Sequence, residues 1–237
     1  MTPPSYRSFA AQTQHYFSRA HEGAPGSPLT GASIWRGADL RNAPELWQVT
    51  LSPESASEIL AVARSVVEAG RQLSEVDAAS FPLPRVRKEI ADWRRTITDG
   101  PGFVVVRGLP IAEMSTAEAE MAFWGIGHHL GIPGAQNPAQ ELLGHVRDYQ
   151  EADPHVRLYR TAANINFHCD AADVVGLLCL AKARAGGQSR IVSTGWLFNE
   201  AFAEDPSLIR TLFEPFKLDG RGERRPDQLP WSEIAPC

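Results

Sequence analysis

The stretch that most restricts the fold of this chain is NINFHCDAADVVGLLCL, residues 164–180. On a β-strand, successive side chains point to opposite faces. One face of this stretch then carries four polar groups, Asn164, Asn166, His168 and Asp170. The run that follows is continuously apolar, which favours a sheet buried on both faces. A buried polar row costs free energy unless it is hydrogen-bonded or binds a ligand, so the stretch predicts a strand lining a cavity inside a β-barrel.

His168 and Asp170 are the candidate metal ligands in this row. His-x-Asp on a strand places an imidazole nitrogen and a carboxylate oxygen side by side, and one divalent metal ion can bind both. Two histidines and one carboxylate on one face of an octahedron leave three positions open, which is the arrangement in non-haem Fe(II) oxygenases. The three-residue pattern also occurs by chance, so a purely structural His-Asp pair is the alternative interpretation.

Upstream of this stretch, three segments have the pattern of helices. SPESASEILAVARSVVEAG begins with Ser52 as N-cap and Pro53 at the first helical position. RVRKEIADWRRTITDG repeats apolar residues at helical spacing, and STAEAEMAFWGIGHHLG opens with the capping box Ser115–Glu118. Residues 1–50 are rich in Pro, Gly and Ser and are predicted to be an irregular N-terminal lead-in.

Strand patterns begin at GFVVVRGLP, a short β-branched run closed by Gly and Pro. After the third helix we interpret ELLGHVRDY, HVRLYR, NINFHCD, DVVGLLCLAKA and, following a Gly-Gly turn, GGQSRIVS as further strands. GWLFNEAFAEDPSLIRTLFE is predicted to form two short helices separated at Asp205–Pro206, and no closing element is evident in the tail. Helices first and strands afterwards indicate an α+β fold, with residues 51–237 as one domain.

Charge and hydropathy exclude several function classes. The formal net charge is −5 without a basic block, which argues against nucleic-acid binding. The N-terminus lacks the apolar core of a signal peptide, and no apolar run approaches the ~20 residues that span a bilayer. We therefore expect a cytoplasmic protein with a small-molecule substrate and no membrane partner, and the sequence does not indicate its oligomeric state.

Several motifs in order resemble one known family. They are GFVVVRGLP, LLGHVRDY, the phrase FHxD before an apolar strand, a Gly-Gly turn, a hydroxyl residue two positions later, a Ser ahead of a helix, and LFEPFKLDGRGE. Together, over about residues 85–237, they resemble the TauD/TfdA (taurine dioxygenase-like) family of Fe(II)- and 2-oxoglutarate-dependent oxygenases.

The resemblance implies a fold, a reaction and a set of site residues. The family fold is a double-stranded β-helix (jelly roll) flanked by helices. His168 and Asp170 match the first two iron ligands, Ser189 matches the hydroxyl that helps to hold the 2-oxoglutarate carboxylate, and Asn164 lies near the substrate position of some members. The implied reaction is oxidative decarboxylation of 2-oxoglutarate coupled to hydroxylation of a small organic substrate.

One part of the family pattern is missing. The family has a second histidine ligand well downstream of the HxD pair and an arginine shortly after it, and here no histidine follows Asp170. We therefore expect an incomplete jelly roll that lacks its C-terminal part. Two alternatives stay open: a non-catalytic truncated remnant of the family, and a cupin-like metal-binding β-barrel that uses His168, Asp170 and an upstream histidine.

Other residues could supply a third ligand, and each has an ordinary structural interpretation. His145 and His155 lie on predicted strands, whereas Glu200 and Glu204 fit a solvated helix face. None of Arg210, Arg221, Arg224 and Arg225 follows a histidine in the family pattern. The pair His128–His129 lies near a helix C-terminus, where the helix dipole is expected to favour the imidazolium form.

Overall fold

The computed structural model describes residues 5–20, 23–150, 158–219, 229 and 231–234. The chain divides into two structural units. The first unit comprises Met1–Tyr6, Gly26–Pro133 and Gly176–Asp205, and the second unit comprises Arg7–Pro25, Gly134–Val175 and Pro206–Cys237.

In chain order the helices are α1 (Phe9–Phe17), α2 (Gly37–Arg41), α3 (Pro53–Glu68), α4 (Arg87–Thr98), α5 (Thr116–Leu130), α6 (Thr194–Glu204) and α7 (Pro206–Leu212). The strands are β1 (Gln48–Thr50), β2 (Val105–Arg107), β3 (Phe216–Asp219) and β4 (Trp231–Ile234). Within the described ranges, none of the helices has the length and apolar character that a transmembrane span requires.

The three helices predicted upstream of the polar stretch are confirmed as α3, α4 and α5. The Ser52 hydroxyl accepts a hydrogen bond from the Ser55 amide at the start of α3. At the start of α5, the Ser115 hydroxyl accepts from the Glu118 amide, and the Glu118 carboxylate accepts from the Ser115 amide at 2.6 Å. These side chains satisfy amides that the first helical turn leaves without an intrahelical partner, which fixes where each helix begins.

The apolar core of the first unit lies between α3, α4 and α5. Phe81 is fully buried, and its ring lies against the backbone of Gly125 on α5, where an added Cβ would come within 2.7 Å of the ring atom Cε1. The other buried side chains include Ile59 and Ala63 of α3 and Trp93 of α4. Because Gly125 has no side chain, α5 can pack closely against Phe81, which lies in the segment before α4.

The strand predicted in GFVVVRGLP is confirmed as β2, which pairs in parallel with β1 in the register Val49↔Val106. Strand β1 and the helices α1 and α2 lie in residues 1–50, which we predicted to be irregular, so that prediction was wrong for these elements. Helix α1 is capped by Ser8, whose hydroxyl accepts from the Ala11 amide, and its residues are not buried. It therefore lacks the clear apolar face on which a sequence-based helix prediction depends.

The tail contains more structure than expected. The predicted break at Asp205–Pro206 is confirmed, since α6 ends at Glu204 and α7 begins at Pro206. Ile209 of α7 is buried in the second unit. Strands β3 and β4 pair antiparallel with Phe216 opposite Ile234, which provides the closing element that the sequence did not reveal.

The strands predicted from residue 141 to residue 193 are not present in the structure, within the residues that it describes. Phe167, Val175 and Leu177 are more than half exposed, so the expectation of a sheet buried on both faces was also wrong. A strand requires a partner that accepts and donates its backbone hydrogen bonds. In the described part of residues 164–192, the backbone hydrogen bond is a local one, from the Ala172 amide to the Asp170 carbonyl.

The fold class predicted from the sequence is confirmed in part. The structure mixes helices with two short two-stranded sheets in its described ranges, which agrees with an α+β class. The jelly roll implied by the resemblance stays a prediction, as does the assignment of residues 51–237 to one domain.

Candidate metal site

His168 and Asp170 lie side by side in the second unit, on an irregular segment. The imidazole Nε2 atom and the carboxylate Oδ1 atom are 3.8 Å apart, and the side chains are 56% and 54% exposed. That separation is longer than a hydrogen bond, so the two side chains do not satisfy each other directly. The pair therefore forms no direct hydrogen bond, and its separation is within the range of an ion pair when His168 is protonated.

The protonation of His168 is set by the backbone. Its Nδ1 atom is 2.8 Å from the carbonyl oxygen of Asn166, and a carbonyl can only accept, so Nδ1 carries the proton. With the Nδ1 proton engaged in this way, Nε2 is the ring nitrogen that faces Asp170. Histidines that bind metal ions through one ring nitrogen frequently donate the N–H of the other to a backbone carbonyl.

The two side chains lie close to the arrangement that a shared metal ion requires. Bonds from imidazole nitrogen and carboxylate oxygen to divalent metals are about 2 Å long, so two ligand atoms on one face of an octahedron lie roughly 3 Å apart. The 3.8 Å separation of Nε2 and Oδ1 is longer than this, so the two side chains must approach each other to bind one ion. The donor set, one neutral imidazole and one carboxylate, suits Fe(II) among the divalent transition metals.

The predicted site residues are divided between the two units. Asn164 is exposed in the second unit, and Ser189 is exposed in the first unit. Before Ser189, Gly186 and Gly187 both have left-handed backbones with φ of +72° and +71°, a conformation that glycine adopts readily. The predicted polar row on one strand face was wrong, because the segment does not pair as a strand. The proximity of His168 and Asp170 comes instead from their spacing along the chain.

A third protein ligand is not present among the described residues. In that part of the chain, no group of three or more His, Cys, Asp or Glu residues could hold a metal ion. His145 is exposed and outside any strand, and Glu200 and Glu204 are exposed on α6. Arg210 is exposed on α7. His155, Arg221, Arg224 and Arg225 lie outside the described residues.

Helix α1 supplies polar contacts to the residues that directly follow the pair, and the sequence did not reveal them. The side-chain amide of Gln12 donates to the Ala171 carbonyl at 3.1 Å. Asp173 forms an ion pair with Arg19, and its Oδ2 atom is 3.4 Å from the Nε2 atom of His15. Contacts over about 160 positions of chain leave no local pattern that could predict them.

His128, near the end of α5, does not behave as the helix dipole alone suggests. Burial holds the pKa of His128 below its ordinary value, and the neighbouring His129 lowers that pKa further, whereas the charge of Asp77 opposes both. His129 places its Nε2 atom 2.7 Å from the Phe81 carbonyl oxygen. The expected imidazolium at His128 was therefore wrong, because desolvation outweighs the favourable charge of Asp77.

The comparison with known families decides the ancestry of the chain. Residues 69–232 match the family described as taurine catabolism dioxygenase TauD, TfdA family. The chain belongs to this family. The recognition made from the motifs is thereby confirmed, and a dioxygenase-type resemblance is supported for most of the chain's length.

Two curated proteins are similar to this TauD/TfdA family chain. One is FR-33289 synthase of Streptomyces rubellomurinus, 31% identical over 206 residues that cover 86% of this chain and 60% of that protein. The other is the taurine hydroxylase-like protein SAT17 of Stachybotrys chartarum, 27% identical over 180 residues that cover 72% of this chain and 47% of that protein. The chain thus spans about half to three-fifths of these relatives.

Proposed function

We propose that this chain provides the His-x-Asp part of a non-haem Fe(II)- and 2-oxoglutarate-dependent dioxygenase, with His168 and Asp170 as iron ligands. The observation that carries the proposal is the 3.8 Å separation of Nε2 and Oδ1, with the proton of His168 held on Nδ1. Membership of the TauD/TfdA family supports the same conclusion independently of the geometry.

The proposed role of each residue follows from its chemistry. His168 offers a neutral nitrogen donor, and Asp170 offers a negative charge that offsets part of the charge of the ion. Ser189 is proposed to donate a hydrogen bond to the carboxylate of 2-oxoglutarate, and Asn164 to contact the organic substrate. Bound iron would allow dioxygen to act as the oxidant: one oxygen atom would enter succinate as 2-oxoglutarate loses CO2, and the other would hydroxylate a small organic substrate.

The relatives' names are compatible with an oxidative reaction on a small molecule. One relative is named a taurine hydroxylase-like protein and the other a synthase. We propose a small organic substrate for this chain and do not assign it more closely. Because the chain spans only part of each relative, turnover by the whole protein is itself part of the proposal.

A non-catalytic metal-binding role is the second candidate. It is favoured by one observation: the described residues bring only two suitable ligands together. A site of two exposed ligands is expected to bind a divalent ion weakly, since most sites that hold such ions use three or more protein ligands. A cupin-like site that recruits His145 has no comparable support, because His145 is exposed outside any strand.

The proposal is tested by an anaerobic titration of the purified chain with Fe(II), and with Co(II) as a spectroscopic probe. We expect weak one-to-one binding that His168→Ala and Asp170→Ala abolish. His145→Ala is the matched control, because it removes an exposed histidine of the same unit and is expected to leave the affinity unchanged. Equal affinity in wild type and His168→Ala contradicts the assignment, and loss of affinity in His145→Ala favours the cupin-like alternative.

A second measurement separates the dioxygenase from the non-catalytic candidate. We expect 2-oxoglutarate to raise the affinity for Fe(II), because it supplies further oxygen ligands to the same ion, and Ser189→Ala to weaken this effect. In air, succinate release that depends on Fe(II), 2-oxoglutarate and dioxygen supports the dioxygenase. Stoichiometric metal binding that ignores 2-oxoglutarate favours the non-catalytic role.

A further inference from the structure

We infer that helix α1 is a positioning element for the metal-binding pair, which it holds through Gln12 and through the ion pair of Arg19 with Asp173. The inference rests on the proposed function, because it concerns the placement of His168 and Asp170. The residues of α1 are positioning residues and touch neither ligand atom. The contacts described here all lie within the second unit.

The first contact fixes the residue directly after Asp170. The Gln12 amide nitrogen donates to the Ala171 carbonyl at 3.1 Å, and the Gln12 amide oxygen accepts from the Arg7 guanidinium at 3.4 Å. With both ends of the amide engaged, the orientation of the side chain is determined. Gln12 therefore acts as a bridge between the start of α1 and the main chain beside the metal pair.

The second contact fixes a residue three positions after Asp170. The guanidinium of Arg19, just beyond the end of α1, forms an ion pair with the carboxylate of Asp173. The imidazole of His15 is also 3.4 Å from this carboxylate, but burial and the charges of Arg7 and Arg19 hold the pKa of His15 below its ordinary value. Arg19 is consequently the charged partner of Asp173 at neutral pH, and His15 is the neutral one.

Helix α1 is itself anchored close to its start. Arg7 forms an isolated parallel β-bridge with Gly134, and the Ala135 amide donates to the Arg7 carbonyl at 2.9 Å. The side chain of Gln12 lies directly over Gly134, where an added Cβ would be 3.0 Å from Cγ of Gln12. A side chain at residue 134 would push Gln12 away from its position. The glycine thus permits the contact between Gln12 and Ala171.

Residues 164–173, which carry the proposed metal ligands, need such an anchor because they form neither helix nor strand. Within the described part of residues 164–173, no strand ladder fixes the chain, and the side chains of the pair are more than half exposed. Binding an ion to a free segment includes the entropic cost of ordering its residues. Contacts that order the segment beforehand remove part of that cost, which is the general basis of preorganisation.

Three variants and a matched control test the inference in the full chain, together with a charge exchange between residues 19 and 173. Gln12→Ala removes the bridge, Asp173→Asn removes the ion pair, and Gly134→Ala displaces Gln12 without altering it. The matched control is Gln14→Ala, which changes the same residue type on an exposed position of the same helix. For each variant we would measure the Co(II) dissociation constant, the visible absorption spectrum of bound Co(II), and amide hydrogen exchange over residues 164–173.

We expect each of the first three variants to weaken Co(II) binding by about two- to fivefold, the range of a lost exposed polar contact. The same variants are expected to speed amide exchange in the segment, while Gln14→Ala matches wild type. The charge exchange Arg19→Asp with Asp173→Arg is expected to restore the affinity that Asp173→Arg alone loses. That rescue distinguishes positioning from a general loss of folding.

The outcomes separate this inference from the proposed function. Wild-type affinity in Gln12→Ala, Asp173→Asn and Gly134→Ala, or equal losses in Gln14→Ala, overturns the role of α1 and leaves the metal site intact. Absence of Co(II) binding by the wild-type chain overturns the proposed function and the role of α1 together. Weaker Co(II) binding in the three variants, with affinity restored by the charge exchange, supports both the proposed function and the role of α1.

Discussion

Replacing Gly125 by alanine has two opposite effects on the free energy of unfolding, one through helix propensity and one through core packing. Gly125 lies inside α5, and alanine in a helix interior is more favourable than glycine by about 1 kcal/mol. The added methyl group, however, would come within 2.7 Å of Cε1 of the fully buried Phe81 ring. Carbon atoms in contact prefer separations of about 3.5–4.0 Å, so the ring or the helix must move by roughly 1 Å.

The Phe81 ring has little freedom to make that movement. Its own amide donates to the Asp77 carbonyl at 2.9 Å, and its carbonyl oxygen is 2.7 Å from Nε2 of His129. Overpacking a well-packed core costs about 1–3 kcal/mol, which is larger than the gain in helix propensity. We therefore expect Gly125→Ala to lower the free energy of unfolding by up to about 2 kcal/mol.

The matched control is Gly127→Ala, two positions further along α5. An added Cβ there would meet its neighbour, Cγ of Pro133, at an ordinary 3.8 Å. This variant gains the helix propensity without the overlap and is expected to be more stable than wild type by up to about 1 kcal/mol. Urea unfolding followed by tryptophan fluorescence gives both values, provided that the slope with denaturant is unchanged.

The combination Gly125→Ala with Phe81→Leu tests the physical cause directly. Leucine leaves space where the ring met the methyl group, so the two changes should cost less together than the sum of their separate costs. If Gly125→Ala is as stable as wild type, or if the double variant shows no such coupling, the reasoning about the contact is refuted.

Two further predictions concern the first unit. Burial lowers the pKa of His128, so the unfolded chain binds this proton more readily than the folded chain. The contribution of His128 to the free energy of unfolding is therefore complete above pH 6.5, its ordinary pKa, and is lost as the pH falls below that value. Urea midpoints between pH 7.5 and pH 5.5 should decline less in His128→Gln than in wild type, and parallel declines would contradict the assignment. Ser115→Ala removes the N-cap of α5 and should cost about 1 kcal/mol in the same assay, whereas an unchanged midpoint would show that the cap contributes nothing.

The sequence predicted structural elements correctly where the contacts that determine them join residues close together in the chain. Ser52 and the Ser115–Glu118 box mark the starts of α3 and α5 because capping joins residues only three positions apart. The pairing of β2 with β1 could not be predicted, since a three-residue strand has almost no alternation and its partner lies 57 positions earlier at Gln48↔Val105.

The candidate site shows the same division between local and distant contacts. His168 and Asp170 were predicted together because a spacing of two residues keeps their side chains close, whether or not a strand forms. The strand itself was predicted from alternation alone, which says nothing about a pairing partner. The contacts of Gln12 and Arg19, and the burial that lowers the pKa of His128, depend on tertiary packing and leave no trace in neighbouring residues.

The carbonyl that fixes the proton of His168 belongs to the main chain, and this has a consequence for sequence variation. Every amino acid carries the same carbonyl, so the side chain at residue 166 can change without altering which ring nitrogen is protonated. The backbone conformation of residues 166–168 determines which ring nitrogen of His168 faces a metal ion. A substitution of Asn166 is therefore expected to leave this hydrogen bond to His168 in place.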